Sequence, residues 1–328
     1  AHRAGEFVER VARVRRALCA LTGASDAALI VGTGTLANDA IAMALRAQPG
    51  RGLVLANGEF GERLIGQARC AGLEFDELRL AWGETFAQAQ VAEAVSRGRP
   101  RWLWAVHCET STGVLNDLDA LKRSASLAHA ALCLDCVSTI GASPVRLDGV
   151  WLASASSAKG LAAYPGLAAV LLNGAVPRTV PHTPQYLDLA HWLLRDSVPF
   201  THSSNLVAAL DVALADADWD ARFRVSALDA RWLRAALRAQ GFAVVAPEDA
   251  ASPAVTSIAL ADGVPAAEVG EALLGQGFEI AWRSAYLARR NWVQLALMGA
   301  YDRVALRQLP KALAREVTAR APHAERAA

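Results

Sequence analysis

Of the three lysines in this 328-residue chain, only Lys159 sits where its amine could do chemistry. Lys122 and Lys311 lie in charged, helix-like stretches, where a lysine is solvated surface. Lys159 lies in Ala153-Ser-Ala-Ser-Ser-Ala-Lys159-Gly-Leu-Ala-Ala-Tyr-Pro165-Gly166 and is the only formally charged residue between Asp148 and Arg178. An ammonium among small apolar side chains is expensive to bury unless it gains a partner or sheds its proton. An amine so placed is a nucleophile that condenses with an aldehyde to a Schiff base. The plainer reading is a surface lysine in a loop of small residues, so the rest of the chain must decide.

Four other stretches carry polar residues that could serve such an amine. Gly32-Thr33-Gly34-Thr35 stands between a strand-like run and a helix-like one. Its glycines allow a close approach, and a helix N-terminus offers free N–H groups and a positive dipole end to a phosphate, or else a threonine simply caps a turn. Asp135 ends the apolar run from Ala131. A carboxylate there needs a cation, either an ordinary ion-pair partner or the protonated nitrogen of a pyridine ring, which it would keep electron-withdrawing. His107-Cys-Glu-Thr-Ser-Thr-Gly113 offers hydroxyls to a ring oxygen or a substrate, or forms a polar turn. In Asn57-Gly-Glu-Phe60-Gly-Glu-Arg63, Phe60 either stacks on a flat cofactor or joins the core.

The elements that must hold these residues follow from periodicity. Strand-like runs at 27–31, 53–56, 74–80, 101–107, 131–134, 150–154 and 166–172 alternate with helical patterns at 7–21, 36–46, 60–70, 85–97 and 118–129. This alternation predicts an α/β fold, a mostly parallel sheet with helices on both faces. In such sheets ligands sit beyond the carboxyl ends of the strands, which is where the five stretches fall. After about Leu214 the pattern changes. A long helix at 219–240, strands at 242–245, 255–260, 278–282 and 292–297, and helices at 266–274 and 304–317 predict a smaller C-terminal α+β domain. The division expected is 1–218 for a large ligand-binding domain and 219–328 for the small one.

In order and spacing, Gly32-Thr-Gly-Thr35, Asn57-Gly-x-Phe-Gly-x-Arg63, His107-Cys-Glu-Thr-Ser-Thr-Gly113, Asp135-x-Val-Ser138, Ser154-x-x-x-x-Lys159-Gly and Pro165-Gly166 resemble the class V aminotransferases, pyridoxal-phosphate enzymes of fold type I. The likeness runs from His2-Arg3 to about Gly299. It is greatest to alanine–glyoxylate or serine–pyruvate and 2-aminoethylphosphonate–pyruvate aminotransferases. The resemblance implies pyridoxal 5'-phosphate on a seven-stranded type of sheet. It implies that Lys159 holds the cofactor as a Schiff base and shuttles a proton at the substrate α-carbon, and that Asp135 pairs with the pyridine nitrogen. Thr33, Gly34 and Thr35 would bind the phosphate, Phe60 and Val137 would cover the two ring faces, and Thr110 would meet the ring hydroxyl. Thr201, in Phe200-Thr-His-Ser203, falls where the family draws a phosphate-binding threonine from a partner subunit, which implies a homodimer with shared active sites.

Four departures accompany the likeness. Ala158 stands where relatives carry an amide or imidazole before the lysine. Gln294 takes the place of the arginine that clamps the substrate carboxylate, and glutamine cannot make that bidentate charged pair. Arg283, Arg289 and Arg290 are the nearby cations that could substitute. Val198 replaces a tyrosine, and the chain starts near the His2-Arg3 element, which implies an absent or removed N-terminal arm. The departures touch the substrate side more than the amine side.

Bulk properties exclude other classes. With 33 basic and 32 acidic residues the net charge is +1, which gives no basis for binding nucleic acid or acidic membranes. The five cysteines are irregularly spaced, and Cys133-x-x-Cys136 has no second pair, so buried thiols are expected rather than a metal site. No run is apolar for long enough to span a bilayer, and the start is unlike a signal peptide, so a cytoplasmic protein is expected. The expected activity is transfer of an amino group from a small amine or amino acid to a 2-oxo acid such as pyruvate or glyoxylate. The alternatives are a pyridoxal-phosphate lyase on the same fold and a degenerate paralogue kept for binding.

Overall fold

The computed structural model describes residues 4–194 and 198–321, so the His2-Arg3 element lies outside it. The chain opens with α1 (Gly5–Thr22), β1 (Asp26–Val31), α2 (Gly34–Leu45), β2 (Gly52–Ala56), α3 (Glu59–Cys70), β3 (Phe75–Arg79), α4 (Gln88–Gly98) and β4 (Trp102–Val106). A small hairpin of β5 (Cys108–Glu109) and β6 (Val114–Leu115) leads into α5 (Leu118–Leu127), β7 (Ala131–Asp135), β8 (Leu152–Ser156) and β9 (Leu167–Leu172). Three helices follow: α6 (Leu189–Leu193), α7 (Ser204–Ala215) and α8 (Trp219–Ala239). The remaining elements are β10 (Ala243–Val244), β11 (Val255–Ala259), α9 (Ala266–Gly275), α10 (Ala285–Arg290), β12 (Trp292–Ala296) and α11 (Arg303–Arg320).

Seven strands form one sheet in the order β1-β9-β8-β7-β4-β2-β3. The β8–β7, β7–β4, β4–β2 and β2–β3 ladders are parallel, and only β9 runs against its neighbours. The expected mostly parallel sheet is therefore present, with β9 as its antiparallel member. Its strands are buried on both faces, and successive side chains enter separate cores. Leu53, Leu55, Leu103, Leu132 and Leu134 face α1, α4, α5 and α7, whereas Val54, Trp102, Trp104, Cys133 and Val170 face α2, α3 and α6. A third core, from Ala230 onward, packs α8, α9 and α11 on the antiparallel β10-β11-β12 sheet.

Two expected strands differ. The one placed at 150–154 begins at Leu152, because Gly149 (φ 79°) and the Val150 N–H, bonded to the Leu147 carbonyl at 2.9 Å, still belong to a turn. The one placed at 278–282 amounts to a single bridge, Ala281 to Gln294. Among the described residues no helix is long and apolar enough to cross a membrane, and no group of His, Cys, Asp and Glu could hold a metal ion.

Candidate active site

The carboxyl ends of β1, β2, β4, β7 and β8 point the same way, and the loops leaving them converge. Beyond them lies a cavity of about 240 Å³ whose walls include Thr33, Gly34, Thr35, Asn38, Phe60, Arg63, Asp135, Val137, Ser138 and Lys159. Seven residues singled out in the sequence, drawn from four separate segments, meet there.

Lys159 is placed by backbone contact. It follows β8 and opens a single 3-10 turn, with φ of 55°, a left-handed conformation that costs an ordinary residue about 1–2 kcal/mol. The loop after β7 holds it there. Its Nζ donates to Ser138 Oγ at 2.9 Å and lies 5.4 Å from the centre of the Phe60 ring.

At the opposite wall, α2 begins at Gly34 with Thr33 as its N-cap, and Thr33 makes no side-chain capping bond. Among the described residues nothing accepts from the Gly34 and Thr35 N–H groups. Two free amides at the positive end of a twelve-residue helix suit an anion. A Cβ on Gly34 would sit 2.6 Å from Val137 Cγ2, so only glycine lets the helix start this close to the loop after β7.

Asp135, the last residue of β7, is 7% exposed. Its Oδ1 accepts from the Val137 N–H at 2.9 Å and its Oδ2 from Asn38 Nδ2 at 2.8 Å. Phe60, in the first turn of α3, is fixed by Glu109. That buried carboxylate accepts from the N–H groups of Phe60 (3.1 Å), Gly61 (2.9 Å) and Ser111 (3.2 Å) and from the Ser111 hydroxyl. Burial raises the Glu109 pKa, and the donors around it oppose the rise. Burial, helped by the charge of Lys122, pushes the neighbouring His107 down to about 4, so it stays neutral beside Thr139 Oγ1 at 3.2 Å.

Other singled-out residues lie off the cavity wall. Thr110 is buried, and its carbonyl accepts from Gln294 Nε2 at 2.6 Å. Gln294 is wholly engaged: Nε2 also meets Ser111 O (3.0 Å) and Ser257 Oγ (2.8 Å), and Oε1 accepts from the Tyr286 hydroxyl (2.9 Å). It pins the loop after β5 to the second sheet. Arg289 lies 3.7 Å from Glu59, and Arg290 stacks on Trp82 at 3.7 Å and on Trp292 at 5.1 Å. Trp82 touches Tyr286, which touches Phe60, so these arginines stand behind an aromatic wall of the site. Thr201 is exposed and is not part of the cavity wall.

The cavity also holds residues that the sequence reading gave no role. Ser138 carries no signal of its own beyond the Asp135-x-Val-Ser138 pattern. Asn38 is one helical turn beyond Gly34 on the buried face of α2, with Ala37 and Ile41 for neighbours. A lone amide on an otherwise apolar helix face was the signal available for it.

A family model described as Aminotransferase class-V matches residues 1–183. The soluble hydrogenase small subunit of Synechococcus sp. is 30% identical over 297 residues, which is 85% of this chain and 77% of that protein. Among solved structures, an aspartate aminotransferase from Thermus thermophilus matches with a TM-score of 0.87 at 31% identity, covering 98% of this chain and 93% of that one. An alanine–glyoxylate aminotransferase from Nostoc sp. matches with a TM-score of 0.88 at 25% identity, covering 96% and 88%.

Proposed function

The chain belongs to the class-V aminotransferase family, and on that premise we propose that it is a pyridoxal-phosphate-dependent aminotransferase that moves an amino group from a small amine or amino acid to a 2-oxo acid such as pyruvate or glyoxylate. The observation that carries the reading is one cavity walled by the Lys159 amine, the Asp135 carboxylate and the free amides that open α2. The donor set suits the cofactor part by part: amides for a phosphate, a carboxylate for a ring nitrogen, Phe60 and Val137 for two ring faces, and an amine for an aldehyde. The related alanine–glyoxylate structure favours a small oxo acid as acceptor.

Bound there, pyridoxal phosphate supplies an aldehyde that captures amines and a ring that takes up the electron pair of a broken Cα–H bond. The protein's residues do the rest. Gly34, Thr35 and Thr33 would hold the phosphate at the end of α2, where the helix dipole favours an anion. Asp135, fixed by two N–H donors, presents its carboxylate to the ring nitrogen. Phe60 and Val137 would cover the two faces of the ring, and Thr110 would serve the ring hydroxyl. Lys159 Nζ would hold the cofactor covalently and would be the base that moves a proton at the substrate α-carbon. The Gln294 amide is wholly engaged within the fold, which leaves Arg289 and Arg290 as the cations that would meet the substrate carboxylate.

Two further parts rest on the same footing. The exposure of Thr201 outside the wall of its own cavity supports a homodimer in which it serves the partner's phosphate site. The separate core after Ala230 supports a division into a cofactor-binding unit, 1–218, and a small unit, 219–328.

Reconstitution tests the reading. The purified protein should take up pyridoxal phosphate with a new visible absorbance band. Borohydride should then trap a covalent adduct on the peptide carrying Lys159, and Lys159→Ala should abolish both. An amino donor should bleach the band, and pyruvate or glyoxylate should restore it. A protein that takes up no pyridoxal phosphate would refute the proposal.

A further inference from the structure

Asn38 takes no direct part in that reaction, yet among the described residues it is the one side chain that hydrogen-bonds Asp135. We infer that Asn38 is a positioning residue that sets the angle at which Asp135 meets a ring nitrogen, and that it ties this contact to the phosphate site through α2. The inference rests on the pyridoxal-phosphate reading.

The geometry is specific. Asn38 is 5% exposed, lines the cavity and donates from Nδ2 to Asp135 Oδ2 at 2.8 Å. Its own Oδ1 is buried with no hydrogen-bond partner. A buried amide oxygen left unpaired costs free energy, so something must hold the amide in this orientation. Turning it over would set Oδ1 against Asp135 Oδ2, two acceptors face to face beside a buried charge, which costs more than one orphaned carbonyl. The amide is therefore locked, and so is the carboxylate. With Val137 N–H on Oδ1 and Asn38 on Oδ2, Asp135 is held at both oxygens and cannot rotate about its terminal bond without breaking a charge-assisted hydrogen bond.

Asn38 stands one turn beyond Gly34 and Thr35, whose amides suit an anion. One rigid helix thus carries the groups for the phosphate and the group that aims the carboxylate. The distance between the two ends of the cofactor is built into α2 rather than into flexible side chains.

The test uses a probe that lacks the atom concerned. Wild type and Asn38→Ala would be titrated with pyridoxal phosphate and with its carbocyclic analogue, in which a carbon replaces the ring nitrogen. Apparent Kd would be read from the visible band and folding from near-ultraviolet circular dichroism. Loss of Asn38 should weaken pyridoxal phosphate about tenfold, the worth of one hydrogen bond to a charged acceptor. The analogue should change less than about twofold, since it makes no use of Asp135. Asn38→Asp, which keeps the shape and sets a second carboxylate beside Asp135, should separate the two ligands in the same sense and guards against a misfolded alanine variant. Equal losses for both ligands in both variants would show that Asn38 only supports the fold and would overturn the inference alone. A wild type that forms no band with pyridoxal phosphate would overturn the functional reading and this inference with it.

Discussion

Gly141 and Gly160 lie backbone to backbone: a Cβ on Gly160 would sit 2.3 Å from the Ile140 carbonyl oxygen, and one on Gly141 2.5 Å from the Gly160 carbonyl carbon. This contact fixes the lysine loop on the loop that follows Asp135. It explains how Lys159 can hold a left-handed conformation and still place Nζ on Ser138. Gly160→Ala should therefore misplace the amine without touching it. We expect destabilisation of about 1–3 kcal/mol or more, because the clash is with backbone rather than with a movable side chain. We also expect a lower fraction of protein that forms the visible band with pyridoxal phosphate. Gly141→Ala adds the cost of its φ of 81° and should be the more damaging of the two in a urea melt.

Burial sets a pH dependence of stability through His107. Its pKa is about 4 in the folded protein, against an ordinary value of about 6.5 in the unfolded chain. The folded state stays neutral while the unfolded state takes up a proton. This stability is thus fully present above pH ~6.5 and is lost as the pH falls towards 4. The single group accounts for about 3 kcal/mol at most. Urea denaturation at pH 7 and pH 4.5 should show the loss. In His107→Gln the drop between the two pH values should be smaller by about 2–3 kcal/mol, the carboxylates common to both proteins cancelling.

Glu109 does for Phe60 what the glycine pair does for Lys159. Three N–H groups and a hydroxyl converge on its carboxylate. Glu109→Gln would turn an amide NH₂ towards some of those donors, and a buried donor facing donors costs about 1–3 kcal/mol. Phe60 would lose its anchor at the start of α3. The expected outcome is a lower melting temperature and weaker pyridoxal-phosphate binding, read by calorimetry and by titration of the visible band. An unchanged affinity would show that Phe60 is held by packing alone.

Gln294 ties the small sheet to the loop at 109–113, so its loss should act on that loop before it acts on any substrate. Gln294→Leu strips a donor from Thr110 O, Ser111 O and Ser257 Oγ and leaves the Tyr286 hydroxyl without its acceptor. A cost of about 2–4 kcal/mol is expected for opening such a buried network. Hydrogen exchange should locate the loosening at residues 109–113. Protection there equal to that of wild type would refute the tie.

The parts of this site differ in how far the sequence exposes them. The strands of the large sheet announce themselves as apolar runs such as Trp102 to Val106, because a strand buried on both faces has no polar positions to hide the pattern. The residues at their carboxyl ends, Asp135 and Lys159 above all, are conspicuous as charges where none belongs. The hairpin of β5 and β6 is only two residues a side, too short for any period to show. Gln294 reads as an isolated substitution and gives no hint of its four partners, which come from segments up to 184 residues away. Asn38 is a single amide on a helix face, and its meaning lies in Asp135, 97 residues on. Local pattern carries the frame, whereas pairings across such separations are set by the fold.

The substrate side is where the cations behind the aromatic wall should declare themselves. Arg289 shares Glu59 with Arg63, whereas Arg290 rests on Trp82 and Trp292 and makes no ion pair within 4.0 Å among the described residues. A guanidinium held by two indoles keeps its charge available to an anion, and a carboxylate that reaches it gains a charge-assisted bond. Arg290→Met preserves much of the stacking bulk and removes the charge. For donors with an α-carboxylate, such as alanine or serine, kcat/KM should then fall about tenfold or more, mostly through KM, which corresponds to about 1.4 kcal/mol. An amine without a carboxylate should lose far less. Replacing Arg289 in the same way should cost less than replacing Arg290, since Glu59 already engages it. If alanine and serine react equally well when Arg283, Arg289 and Arg290 are all replaced, no arginine of that segment binds the carboxylate, and recognition must come from elsewhere in the site.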